Sequence, residues 1–228
     1  MITCESSLKE FQELNKQIYL VVNDRKYSIQ EIFSNLHRHI THILKAVRKE
    51  IYSSIEYHLC MALSWSFALA NRLHINLAKE MWKSFPGCCP YCLTAPCSCK
   101  DRPPERQKMA GKAKGKHPVS MFEWQQMFWR IYPNVILNSA VHLAEEAGEV
   151  DETIRNNSAT HAGKWFKKTV EELIDVITNI FAVASCRDLN LAAGMASYFA
   201  KGCPKCCRLP CRCGYVSVDK LISLSRSG

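Results

Sequence analysis

Two short stretches carry carboxylates at helical spacing. In "LAEEAGEVDETIRNN" (143–157), Glu146 and Glu149 are three apart and share one helix face, with Glu145 and Glu152 on its flanks. In "VEELIDVITNI" (170–180), Glu172 and Asp175 are again three apart and Asn179 follows one turn later. Val170, Leu173, Val176, Ile177 and Ile180 make this second helix otherwise core-like. Carboxylates facing inward from an apolar helix are expensive to bury alone, and two such helices side by side add mutual repulsion. A divalent cation removes both costs. Oxygen ligands with no thiolate or imidazole requirement favour Mg2+, with Mn2+ next. An acidic run by itself is usually a solvated face; the second pair, set among isoleucine and valine, is what favours a site. Di-iron bundles use similar pieces but need Glu-x-x-His, which this chain lacks.

His142 lies one turn before Glu146 on the same face, suited to contact a phosphate or orient a carboxylate. Lys164, Lys167 and Lys168, between the acidic motifs, could neutralise phosphate charge, although lysines in such a segment are commonly just solvated.

A second chemistry is written in cysteine. "CPYCLTAPCSC" (89–99) and "CPKCCRLPCRC" (203–213) share the pattern C-P-x-C-x4-C-x-C. Each can close a tetrahedral thiolate site, with Cys89, Cys92, Cys97 and Cys99 around one ion and Cys203, Cys206, Cys211 and Cys213 around another. Zinc is the default occupant and an iron–sulfur centre the minority one. Such closed sites are structural, since no coordination position is left for chemistry. Cys88 and Cys207 match no cysteine in the other cluster, and Cys4, Cys60 and Cys186 read as buried or incidental thiols.

The cysteine clusters stand 114 residues apart, and their surroundings repeat with them. "HINLAKEMWKSF" (74–85) aligns with "DLNLAAGMASYF" (188–199) at the same offset, and "EFQELNKQIY" (10–19) with "EWQQMFWRIY" (123–132) at 113. The chain is therefore a tandem duplication. Residues 1–99 form one repeat and 120–228 the other, joined by a basic linker, "KDRPPERQKMAGKAKGKHPV" (100–119), rich in Pro, Gly and Lys.

Apolar residues recur at three- and four-residue spacing through 7–22, 28–50, 52–72 and 75–84, then through 121–132, 135–154, 165–184 and 189–199. Strand-type alternation is absent over comparable lengths. The expected fold is all-α: two helical bundle units packed together, each ending in a small four-cysteine zinc knuckle. The longest apolar run, "LCMALSWSFALA" (59–70), is too short to span a bilayer. The opening "MITCESSLKEFQELNK" turns polar at once and carries no secretory signal, so thirteen cysteines point to metal ligation in a reducing, cytoplasmic setting. The net charge of +9 suggests an anionic partner, but two zinc ions on eight thiolates would change it by −4, to +5.

"EEAGEV" followed by "EELIDV" resembles the E-E-x-x-E … E-x-x-D signature of the MazG-like, all-α nucleoside triphosphate pyrophosphohydrolases, a superfamily that includes the dimeric dUTPases. The resemblance implies Mg2+-dependent cleavage of a (d)NTP into a (d)NMP and pyrophosphate. Carried over by position, Glu146, Glu149, Glu172 and Asp175 would hold the metal and Glu145 would help hold or activate the attacking water. Asn138 would match a substrate-contacting asparagine, and Trp124 and Trp129 would serve in a base pocket or, more simply, in the core. The resemblance also implies a homodimer, for which the internal duplication could substitute.

The first repeat departs from the signature. It has His58 and Met61 opposite Glu172 and Asp175, and "EIFSNLHRH" (31–39), with the single carboxylate Glu31, opposite the other pair. It is expected to be a non-catalytic partner; a metal site on its histidines, His37, His39 and His42, is a remote option. The alternative from another class is a zinc-knuckle protein that binds nucleic acid through its basic surface. That reading wants aromatics among basic residues near the knuckles, where only Tyr91 and Tyr215 are available.

Overall fold

A computed structural model of the chain describes residues 2–99, 115–160 and 162–213. Most of the expected linker (100–114) and the C-terminal residues 214–228, with Tyr215, lie outside the described residues. The described residues form α-helices and no strands: α1 (Leu8–Lys26), α2 (Ile29–Arg48), α3 (Ile55–Arg72), α4 (Leu77–Ser84), α5 (Met121–Ile131), α6 (Ile136–Thr160), α7 (Gly163–Ser185) and α8 (Leu191–Tyr198). None is long and apolar enough to cross a membrane.

The helix starts follow from local chemistry. Ser7 and Ser28 close capping boxes with Glu10 and Glu31, and Ser120, Asn76 and Asn190 each accept a backbone N–H of the first turn. These bonds satisfy donors that the helix itself leaves unpaired. Glu31 is thereby committed to the cap of α2. Three helix ends use one device: Glu50, His74 and Asp188 adopt left-handed φ of 54°, 57° and 53°. The next residue then donates back five positions, as Ile51 to Ala46, Ile75 to Ala70 and Leu189 to Ala184. This is why α2 stops at Arg48, two residues before its apolar pattern does. Conversely, α1 and α6 run past their patterns to Lys26 and Thr160, because their last turns are polar and leave no periodic signal.

Helices α2 and α3 pack as one antiparallel pair, and α6 and α7 as another. The pairs meet through α2 on α6 and α3 on α7. Leu36, Ile40 and Ile43, Leu59, Leu63 and Phe67, Leu143, Ala147 and Val150, and Leu173, Ile177 and Phe181 fill this four-helix centre and are fully buried. Each large side chain there contributes about 1.5–3 kcal/mol over leaving it in water. Helices α1 and α5 cover α3 and α7 from outside. The short helices cross over: α4 of the first half packs on α7 of the second, and α8 of the second on α3 of the first.

The repeat seen in the sequence recurs in the backbone bonds of one glutamine in each half. Buried Gln125 donates to the Leu189 carbonyl at 2.7 Å and accepts from the Leu191 amide at 3.2 Å. Gln12, 113 residues earlier, makes the same pair with Ile75 and Leu77 at 2.7 and 3.2 Å. Each glutamine thus ties the outer helix to the turn before the short helix. Gln125→Ala leaves that turn's carbonyl and amide without their partner inside the fold and should lower stability by about 1–3 kcal/mol in urea denaturation, with no change in helix content.

Candidate functional site

Helices α6 and α7 are held side by side by their buried apolar faces, and this brings the two acidic motifs together. Ligand oxygens of Glu146, Glu149 and Glu172 lie within 4.8 Å of one another. Three carboxylates this close could hold a metal ion between them. Glu172 is buried, Glu146 half-buried and Glu149 exposed, so the trio runs from the core to solvent. Lys168 Nζ stands 4.0 Å from Glu172 and offsets part of its charge.

Asp175, expected as the fourth ligand, is not part of this trio but lines the adjoining cavity of about 140 Å3 together with Glu146, His142 and Asn179. The opposite walls are aromatic: Phe128 and Tyr132 from the second half, Phe85 and Tyr91 from the first. Tyr91 belongs to the first cysteine cluster, so each half supplies part of this cavity. Asn134 and Thr178 add polar atoms.

The remaining candidates fall elsewhere. Glu145 is largely exposed and accepts from His142 Nδ1 at 3.0 Å, so it meets the cavity only through the histidine. Asn138 bonds Asn134 at 3.4 Å, leaving Asn134 as the asparagine at the cavity wall. Lys164 lies over its neighbour Trp165, 5.1 Å from the ring centre. Trp124 is buried in the core against Phe128, and Trp129 lies on another surface beside Gln126 and Asn190. The aromatic walls were invisible to motif reading, because Phe85 and Tyr91 come from the other repeat and face this cavity only after folding.

Both cysteine clusters assemble, and either could hold a metal ion such as zinc. Sulfur separations are 3.8 Å for Cys89–Cys99 and Cys92–Cys97, 3.7 Å for Cys203–Cys213 and 3.9 Å for Cys206–Cys211. The edge of a tetrahedron with zinc–sulfur bonds of about 2.3 Å is about 3.8 Å. Backbone amides already point at the sulfurs: Ser98 N–H at Cys92 and Arg212 N–H at Cys206, both at 3.4 Å. Burial by itself pushes the Cys92 thiol up, but hydrogen bonds from the Thr94 hydroxyl and the Ser98 amide outweigh it and bring the group down to about 5. The Arg212 amide brings Cys206 down to about 6. Burial pushes Cys97, Cys99, Cys211 and Cys213 up, so metal must displace their protons. Gly202, at φ +87°, passes so close to Arg208 that a Cβ would meet its carbonyl oxygen at 2.5 Å.

Each cluster is fastened to the other half. Cys97 N–H donates to the Ile131 carbonyl at 2.7 Å, and Cys211 N–H donates to the Ile18 carbonyl at 2.8 Å. The half-buried Tyr132 and Tyr19 lie against Cys89 and Cys203, and burial with these sulfurs pushes both phenols up. Each knuckle therefore supplies part of the wall of the cavity beside it.

In the first half, histidines stand where the second has carboxylates. His58, 114 residues before Glu172, meets His39 with 3.1 Å between their Nδ1 atoms, and His42 stacks on it at 4.6 Å. His39 and His42 are three apart on α2, as Glu146 and Glu149 are on α6. This replaces the sequence alignment of residues 31–39 with the acidic motif: Glu31 is at the helix cap, and His37 stacks on Phe33 away from the cluster. Burial, then the charges of His58, Arg38 and His42, depress His39 to about 4. Burial also depresses His58.

Two measurements check this arrangement. The purified chain should carry two zinc equivalents by elemental analysis, falling to one in Cys92→Ser with a lower melting temperature. A histidine whose folded pKa lies below its unfolded value stabilises the fold above about pH 6.5 and loses that contribution as pH falls toward about 4, because only the unfolded chain takes up the proton. His39→Gln should therefore flatten the loss of stability between pH 6.5 and 4, by on the order of 2 kcal/mol at the acid end relative to wild type.

No protein-family model, curated protein or solved structure matches the chain, so its chemistry rests on the geometry of these sites.

Proposed function

We propose that the chain is a nucleoside triphosphate pyrophosphohydrolase of the MazG-like type, with one active repeat (120–228), one non-catalytic repeat (1–99), and the knuckles as structural zinc sites. One observation carries the reading: Glu146, Glu149 and Glu172 converge beside a cavity that also holds Asp175, His142 and four aromatic rings. Acidic oxygens that run from the core to solvent beside an aromatic-walled cavity suit a metal-bound polyphosphate attached to a base.

In this reading Glu146, Glu149 and Glu172 would hold Mg2+, with Asp175 beside them. A bound ion would supply Lewis-acid polarisation of the phosphoryl oxygens and lower the pKa of the attacking water. Glu145 accepts the Nδ1 proton of His142, which leaves the other ring nitrogen free to take the water's proton. The water oxygen bonds to the α-phosphorus, the bond to the bridging oxygen breaks, and pyrophosphate leaves with that electron pair. Tyr91, Tyr132, Phe85 and Phe128 hold the base by stacking, and Asn134 and Asn179 offer polar contacts to base or sugar. With two units already packed together, the chain can complete its bundle without a second copy.

The nucleic-acid alternative is disfavoured by Tyr91, which lines the cavity and so is not available as an outward stacking platform.

The test is pyrophosphate release from a panel of ribo- and deoxyribonucleoside triphosphates with Mg2+. At least one should turn over, Glu149→Ala should cost at least about a hundredfold in kcat, and His142→Ala about tenfold or more. Turnover untouched by Glu149→Ala, or none on any nucleotide, removes the hydrolase reading.

A further inference from the structure

The first half has kept a cavity at the place where the second half keeps its carboxylates, but its charge is reversed. Its volume is about 380 Å3, within the range of small-molecule sites. The two cavities correspond position by position. Tyr19 stands for Tyr132, Met61 for Asp175 and Trp65 for Asn179, while His39 takes the place of Glu146. From the opposite knuckle, Lys205 occupies the position of Tyr91. Every acidic group of the second cavity is replaced by a neutral or basic one, and Arg38 adds a further cation. Among the described residues no carboxylate lines the first cavity.

The same exchange rules out a hard divalent cation here. His39 and His58 are held neutral by burial, and no oxygen anion remains to bind one. An anion needs no metal in such a place. Arg38 and Lys205 are exposed, one on α2 and one on the knuckle of the other half, and both border the cavity. Together they can take a phosphate from two sides. The wall behind them is flat and apolar: Trp65 is half-buried, and Tyr57 and Tyr19 flank it.

A second observation points to an occupant. The side-chain amide of Asn23 lines the cavity and is 6% exposed, yet makes no hydrogen bond to any described residue. A buried amide left unpaired costs about 1–3 kcal/mol, and a ligand with a donor–acceptor edge would satisfy it. Ser64, its hydroxyl oxygen already accepting from Asn15 at 2.9 Å, still has a proton to donate.

We propose that this cavity is a second nucleotide site, which binds the phosphate through Arg38 and Lys205 and the base between the aromatic wall and Asn23, without a divalent ion. The site does not depend on the carboxylate cavity being a hydrolase, since it shares no residue with it. If the hydrolase reading is right, a nucleoside monophosphate product or a pool nucleotide is the natural occupant, and the second half would feel it through the knuckle that carries Lys205.

The test is titration of the zinc-loaded chain with adenosine, guanosine, cytidine and uridine monophosphates, and with inorganic phosphate, in buffer lacking Mg2+. Binding is read by calorimetry and by quenching of tryptophan fluorescence. One equivalent of at least one monophosphate should bind without Mg2+, at least tenfold tighter than inorganic phosphate. Arg38→Glu and Lys205→Glu should each weaken it about tenfold or more, both at exposed positions where folding is undisturbed. Trp65→Phe should remove most of the quench, whereas Glu149→Gln should leave this binding as it was. Absence of Mg2+-independent binding, equal binding of inorganic phosphate, or indifference to both charge reversals overturns the proposal, whatever the outcome of the hydrolysis assay.

Discussion

The reciprocal fastening of each knuckle to the other half is the constraint on which both cavities depend. Four cysteines around one ion make a rigid loop, but a rigid loop shapes a site only if something fixes its position. Here the Cys97 amide bonds the last turn of α5 and the Cys211 amide bonds the middle of α1, and Tyr132 and Tyr19 lie against the knuckle sulfurs. A phenol beside a metal-bound thiolate can donate to it, so a bound metal would strengthen this closure. The tyrosine that senses the sulfur also lines the cavity. Metal, interface and pocket wall are therefore one mechanical unit in each half.

The same bundle then treats charge in two ways. Bringing helices of identical register together places three side chains of each half at one spot, and apolar packing on α2, α3, α6 and α7 forces that proximity whatever those side chains are. Carboxylates there repel one another, a cost that a bound cation would remove. Histidines solve the problem differently, because they can give up the charge: burial and their mutual proximity favour the neutral rings. The first half thus sheds the cost of the site without altering the helices that built it.

What could be read from the chain follows from where the information lies. The helices were legible because three- and four-residue spacing is a local property; only their polar last turns and left-handed caps were not. The cysteine sets were legible because spacing alone brings four sulfurs within reach, and Glu146, Glu149 and Glu172 because neighbouring helices each present one face. Asp175 lies beside the carboxylate trio rather than within it, and Glu145 is turned to solvent, because a motif records order along the chain and not the angle at which a side chain leaves it. Phe85, Tyr91 and Lys205 were illegible for a deeper reason. They lie far in sequence from the cavities they line, and only the crossing of α4 and α8 between the halves carries them there.

That crossing also bears on why the two halves differ. The two halves already share one four-helix centre, and the knuckles add a second tie between them. Because each also closes its neighbour's cavity, the first repeat's helices, glutamine clamp and four cysteines serve the second half even though the first has no carboxylates at its own site. Gln12 and Gln125, Ile18 and Ile131, and the paired sulfurs make matching contacts in the two halves. The residues that diverge are those pointing into the cavities: histidine for glutamate, methionine for aspartate, tryptophan for asparagine, lysine for tyrosine. Sameness in the frame with opposite charge inside is what a duplicated scaffold looks like when packing constrains both copies and ligand chemistry constrains each separately.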